Sequence, residues 1–172
     1  MLKALYILFR SSAVFGLGPL RHLRNSIYAR HLSAHRINVD SQVRIQALHH
    51  NKGALINIGA DLHVGYNSLI DLSGGLSIGK RVTISEGVKV FTHGHEIDGG
   101  TIDWRLNRVN FSHLNIEDDV WIGSGSIILP SASKLGAGSI IAAGSVVTQC
   151  VPPLAVVAGS PARIVRYRTL ED

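Results

Sequence analysis

The chain has 172 residues, 45% of them hydrophobic and 17% charged, enough apolar material for one globular domain with a sizeable core. A single cysteine, Cys150, excludes an intramolecular disulfide framework and fits a reducing, cytoplasmic setting, with the thiol expected as a small buried or half-buried side chain. The net charge of +5 is concentrated in residues 1–36, where Lys3, Arg10, Arg21, Arg24, Arg30 and Arg36 occur without an acid; the rest is nearly neutral, which argues against a nucleic-acid surface.

Residues 2–9 are apolar apart from Lys3, but Arg10 ends the run far short of the roughly 20 residues a membrane span needs. No small-residue cleavage site follows a long enough apolar core, so a secretory signal is not expected. Beyond Gly18-Pro19, Leu20, Leu23, Ile27 and Leu32 recur at helical spacing with Arg21, Arg24, Asn25 and Arg30 between them, which predicts a cationic amphipathic helix. Residues 1–36 therefore read as a basic helical arm with two open roles. It either caps the end of the body or makes a peripheral contact with an anionic membrane at its inner face.

From Val39 the sequence can be counted. Aliphatic residues fall at Val39 and Ile45, at Ile58, Val64 and Ile70, at Ile78, Ile84 and Val90, at Ile116, Ile122 and Ile128, and at Leu135, Ile141 and Val147; within each group the step is six. Most are preceded two positions earlier by a second aliphatic or small residue, the spacing of two that puts both side chains on one face of a strand. Glycine follows at Gly59, Gly65, Gly79, Gly123 and Gly136, where a chain turning after each short strand favours a residue without a Cβ. Short strands at a fixed period predict an all-β solenoid over 37–151, of about five three-sided coils stacked at roughly 4.8 Å.

The irregular steps are as informative as the regular ones. They run from 47 to 56, 70 to 78, 90 to 116 and 128 to 135, always between the third strand of one coil and the first of the next. Every insertion is thus predicted to leave the body along the same edge. The longest, 91–113, begins Phe91-Thr92-His93-Gly94-His95-Glu96-Ile97-Asp98 and is read as a reactive loop on a rigid support.

The segment Ile-Glu-Asp-Asp-Val-Trp-Ile-Gly from Ile116, Ile-Ile-Leu-Pro from Ile127, Ala-Ala-Gly-Ser-Val-Val-Thr from Ala142 and Ala-Gly-Ser-Pro-Ala-Arg from Ala158 resembles the hexapeptide-repeat acyltransferases. It is most similar to the group containing maltose, galactoside, nodulation-factor and streptogramin O-acetyltransferases, over residues 58–166. The resemblance implies a left-handed parallel β-helix, against the usual right-handed crossover, and a homotrimer with acetyl-CoA between subunits. It implies His95 as the general base for a saccharide hydroxyl, the acceptor being a polysaccharide, glycolipid or carrier-linked sugar, with direct transfer in a ternary complex and no metal. Asp98 and Arg105 match the acid and arginine that follow the family's histidine; Glu96 replaces its usual proline.

Imidazole suits the task because its ordinary pKa, about 6.5, lies near working pH. His93 is two residues away and projects to the same side if the loop is extended, so spacing leaves it as a possible supporting group. Asp98 either orients an imidazole, binds a sugar hydroxyl or stabilises a turn. Trp104 either stacks on a sugar with Arg105 nearby or packs across a subunit interface. On the acetyl-CoA side, Trp121 is expected to point outward, Ser124-Gly125 to offer a backbone N–H to the oxyanion, and Ala142, Ala143, Gly144 and Ser160 to leave room for pantetheine. Arg163 and Arg166, in the tail 152–172, match positions near the CoA phosphates. Two rival readings remain: a zinc enzyme resembling the gamma carbonic anhydrases, drawing on His63, His93, His95 and His113, and a non-catalytic solenoid serving assembly.

Overall fold

In the computed structural model, which describes residues 18–170, the chain passes in rotation through three sheets, here called walls. Wall one stacks Ile56–Ile58, Leu76–Ile78, Leu114–Ile116 and Lys134–Leu135. Wall two stacks Asn38–Val39, His63–Val64, Thr83–Ile84, Trp121–Ile122 and Ile140–Ile141, and is completed by Ala155–Gly159 and an antiparallel Ala162–Tyr167. Wall three stacks Arg44–Gln46, Leu69–Asp71, Lys89–Val90, Ile127–Ile128 and Val146–Val147. Strands from successive coils pair in parallel, Val64 with Ile84, Ile84 with Ile122 and Ile122 with Ile141.

The residues counted at six-step spacing form the inward ladders. All are buried except Ile58, on the outermost strand of wall one. Each buried aliphatic side chain contributes about 1.5–3 kcal/mol relative to exposure, and the ladders make a single core.

The glycines at the corners have a different cause from the one expected. Left-handed backbone falls elsewhere, at Asp61, Asn67, Arg81, Asp119, Gly87 and Gly125 among others. At Gly123 a Cβ would stand 2.6 Å from the amide nitrogen of Ala143, and at Gly65 2.6 Å from that of Glu86. Close stacking of successive corners, rather than a positive φ, excludes a side chain there.

The helix α1, Gly18–Leu32, packs against the first strand of wall two and against Ile56–Ile58. Its buried stripe is Arg24, Tyr28 and Leu32, with Ile27 partly buried, whereas Leu23 of the expected stripe is exposed. The Tyr28 hydroxyl donates to the Val43 carbonyl at 2.9 Å, and Asn25 accepts from the Val39 amide at 3.0 Å. Those bonds close the end of the stack, so the helix acts as a cap; the apolar run 2–9 lies outside the described residues. Among the described residues no helix is long and apolar enough to cross a membrane. Cys150, expected buried or half-buried, is exposed, its sulfur 3.3 Å from Ser133 Oγ.

Candidate active site

The insertions gather along the edge between walls three and one, as their spacing requires. At its centre is Asp71, the residue after inward Ile70, which is fully buried because neighbouring crossings fold over it. Its Oδ1 accepts the amides of Ser73 at 2.9 Å and Leu48 at 3.2 Å together with the Ser73 hydroxyl. Its Oδ2 accepts the Thr92 amide at 3.0 Å and faces Nδ1 of His93 at 2.6 Å. One carboxylate thus ties together residues 48, 71–73 and 92–93, three separate crossings. Burial by itself raises its pKa, but the bonds from Ser73, His93 and Thr92 outweigh this and hold it well below the ordinary carboxylate range.

The long excursion is a folded arm. His93–His95 pairs antiparallel with Val109–Phe111, so the strand is extended and its two histidines share a side, their ring centroids 5.9 Å apart. The arm's tip is fastened by Asn107, which accepts from the Thr101 amide at 2.7 Å and donates to the Glu96 carbonyl at 2.9 Å. Its root needs Gly74, where a Cβ would meet the carbonyl oxygens of Thr92 and Ser112 at 2.1 and 2.4 Å.

His49, from the 47–55 crossing, completes the group. Its ring lies 4.4 Å from that of His93 and 5.3 Å from that of His95. Trp104 meets the His95 ring edge to face at 5.6 Å while most of its own surface is exposed. Nδ1 of His95 is buried with no hydrogen-bond partner among the described residues. The edge therefore offers one imidazole anchored through Nδ1 to a buried carboxylate and a second that is not. This arrangement can accept a proton, and its three imidazoles can also hold a metal ion.

Several expected site residues lie elsewhere. Asp98 is on the exposed tip, and at this edge the acid that meets an imidazole is Asp71. Arg105 pairs with its neighbour Asp103 at 2.7 and 2.8 Å. His63 lies in wall two beside Asn38, and His113 is bonded to Ser77, so the imidazole that joins His93 and His95 is His49.

Trp121 is half exposed on wall two, its Nε1–H donating to Ser85. Ser124 donates to Glu86 at the corner between walls two and three, where Ala142, Ala143 and Gly144 form the next corner. The amides of Gly125, Ala142 and Gly144 are engaged by the carbonyls of Glu86, Val157 and Ser124, which leaves none of these three for an oxyanion or pantetheine. Ser160, Arg163 and Arg166 are exposed on the terminal hairpin of wall two. A cavity of about 730 Å³ on the same wall is lined by Arg81, Trp121, Gly138, Ile140, Leu154 and Arg168 among others. In a three-walled coil, wall two lies across from the edge between walls three and one. One chain therefore keeps the wall-two candidates Trp121, Ser160, Arg163 and Arg166 apart from the histidines.

Asp71 and His49 escaped the sequence reading. Both fall within insertions already assigned to the histidine edge by spacing, and that was the signal available for finding them.

Parallel walls climbed in six-residue steps, with one arm leaving an edge that carries imidazoles, define a hexapeptide-repeat protein. Residues 114–149 match the hexapeptide repeat of succinyl-transferase. The galactoside O-acetyltransferase of Escherichia coli strain K12 is 35% identical over 115 residues, covering 66% of this chain and 55% of that protein. A maltose O-acetyltransferase from Clostridium difficile 630 superposes with a TM-score of 0.73 at 29% identity, over 98% of this chain and 85% of that one. A hexapeptide-repeat acetyltransferase from Vibrio cholerae O1 biovar eltor, complexed with acetyl coenzyme A, gives a TM-score of 0.66 at 26% identity, over 99% and 86%. The chain carries the hexapeptide repeat and is similar to acetyltransferases built on it. It spans 54–60% of the length of the curated relatives it matches first.

Proposed function

We propose that the protein transfers the acetyl group of acetyl-CoA to a saccharide hydroxyl, with His95 as general base. The observation that carries this is the imidazole pair at the root of the folded arm, one member held by buried Asp71 and the other beside exposed Trp104. In this reading His95 takes the hydroxyl proton as the acceptor oxygen attacks the thioester carbonyl. The tetrahedral intermediate collapses with cleavage of the C–S bond, and the imidazolium returns its proton to the departing CoA sulfur. His93, fixed by Asp71, sets the position of the strand, and Trp104 offers an aromatic face to a sugar ring.

The separation of wall two from the histidine edge supports a homotrimer in which acetyl-CoA on one subunit meets the histidines of the next. The arm's exposed Ile97, Ile102, Leu106 and Phe111 support the same assembly, because a neighbouring copy would cover them. Family likeness supports left-handed coiling. Trp121, Ser124, Ser160, Arg163 and Arg166 remain proposed for the cofactor side, with Ala142, Ala143 and Gly144 for the room these small residues leave. Polysaccharide or glycolipid modification in the cytoplasm fits the acceptor class. The exposed Arg21 and Arg30 of the cap leave a peripheral membrane contact to be tested by liposome co-sedimentation at low and high salt.

The Asp71–His93 bond favours a second reading. A proton fixed on Nδ1 by the carboxylate leaves Nε2 with a lone pair, so His93 is itself equipped to be the base. Thiol release from acetyl-CoA across a saccharide panel separates the two. Under the first reading His95→Ala abolishes turnover and His93→Ala retains part of it. The reverse order assigns the base to His93, and no thiol release by the wild type with any acceptor overturns acetyl transfer to a saccharide.

A further inference from the structure

Acetyl transfer by one imidazole leaves much of this edge unused. His49, His93 and His95 arrive from two different crossings, yet one ligand atom from each lies within 4.8 Å of the others. Tetrahedral coordination with bonds of 2.0–2.1 Å requires nitrogens about 3.4 Å apart, a contraction that small ring movements supply.

Three further features fit the same use. The buried Asp71 carboxylate stands behind His93 at Nδ1, the carboxylate–imidazole pairing that fixes the tautomer of a metal-bound histidine and frees its other nitrogen. Nδ1 of His95 is buried without a partner among the described residues, although buried polar atoms are rarely left so. The backbone amide of His49 is held at 2.8 Å by Ser73 Oγ, itself bonded to Asp71, so the third imidazole depends on the same network. An all-imidazole set suits zinc, cobalt, nickel or copper and discriminates against magnesium and calcium, which take oxygen ligands.

We propose that His49, His93 and His95 bind one zinc-class divalent ion per chain, with Asp71 as the outer carboxylate and the fourth position open. A nitrogen lone pair that holds an ion cannot also take a proton. Resting on the acetyl-transfer reading, metal occupancy therefore inhibits transfer.

The full chain, stripped with a chelator and dialysed, is titrated with Co²⁺ alone. Expected are one ion per chain, the visible bands of a nitrogen-ligated four- or five-coordinate ion, and displacement by Zn²⁺. His49→Ala and His49→Gln weaken binding at least tenfold, whereas His50→Ala does not. Asp71→Asn weakens it about 10–100-fold, as loss of an outer-shell partner does. Saturation at less than one ion per chain, absence of the bands, or unchanged affinity in both His49 variants overturns the proposal. Zinc inhibition of thiol release is then compared between wild type and His49→Gln, each relative to its own metal-free rate. Inhibition that disappears with His49 supports the site, and inhibition that persists overturns it. Metal binding by a chain that transfers no acetyl group would refute the acetyltransferase reading while leaving the metal site standing.

Discussion

Replacing Asp71 by Asn tests the edge at its centre. The substitution preserves shape but turns one acceptor oxygen into an NH₂ donor. On the Oδ1 side that donor would face two amides, Ser73 and Leu48, which cannot reverse. On the Oδ2 side it would face one amide, Thr92, together with an imidazole that can change tautomer. The variant therefore settles with NH₂ toward His93 and leaves one buried amide unpaired. An orphaned buried donor costs about 1–3 kcal/mol, and losing the charge from the surviving bonds adds about 1 kcal/mol. The expected loss is about 2–4 kcal/mol, measured by equilibrium urea unfolding at fixed chain concentration.

The pH dependence follows from the depressed carboxyl of Asp71. Its stabilisation is fully present above the unfolded value, about 3.9, and is lost as pH falls toward the lower folded value. The gap between wild type and variant should therefore be constant near neutrality and begin to shrink below about pH 4. A loss under 0.5 kcal/mol at pH 7, or a gap that widens on acidification, would refute the reasoning. Activity adds a second readout, because the variant forces the proton of His93 onto Nε2. If His93 is the base, turnover falls by about 10²–10⁴; if His95 is, the fall is much smaller.

Gly123→Ala should cost about 1–3 kcal/mol in the same assay, because its Cβ would stand 2.6 Å from the Ala143 amide nitrogen in the next corner. Tyr28→Phe removes the bond to the Val43 carbonyl and should lower stability by about 1 kcal/mol, seen as faster amide exchange at the capped end of the stack. Trp104→Ala, at a side chain that is mostly exposed, should change stability by less than about 0.5 kcal/mol. It should raise the acceptor KM several-fold with little change in the KM for acetyl-CoA; an unchanged acceptor KM removes Trp104 from the acceptor site.

The ladders were legible because a period of six with a partner two residues earlier admits one economical fold: short strands turning through three walls. The shared edge of the insertions was legible for the same reason, since a fixed number of steps per coil brings every irregularity to the same corner. The strand at His93–His95 also conformed, its two imidazoles on one side. The reason for the corner glycines was not legible, because it is the backbone of the next coil, far along the chain, that excludes a Cβ. Arg24 and Tyr28 replaced Leu23 on the buried face of the cap because the contour of the stack's end, rather than side-chain apolarity alone, selects what packs there. Asp71 follows a core position, where the alternation of a strand by itself directs a side chain outward. Only the folding of two other crossings over it turned it into a buried anion, and only that closure brought His49 to the rings of His93 and His95. Local spacing determines where the chain turns, while the environment of a charge is set by segments that meet it from elsewhere in the fold.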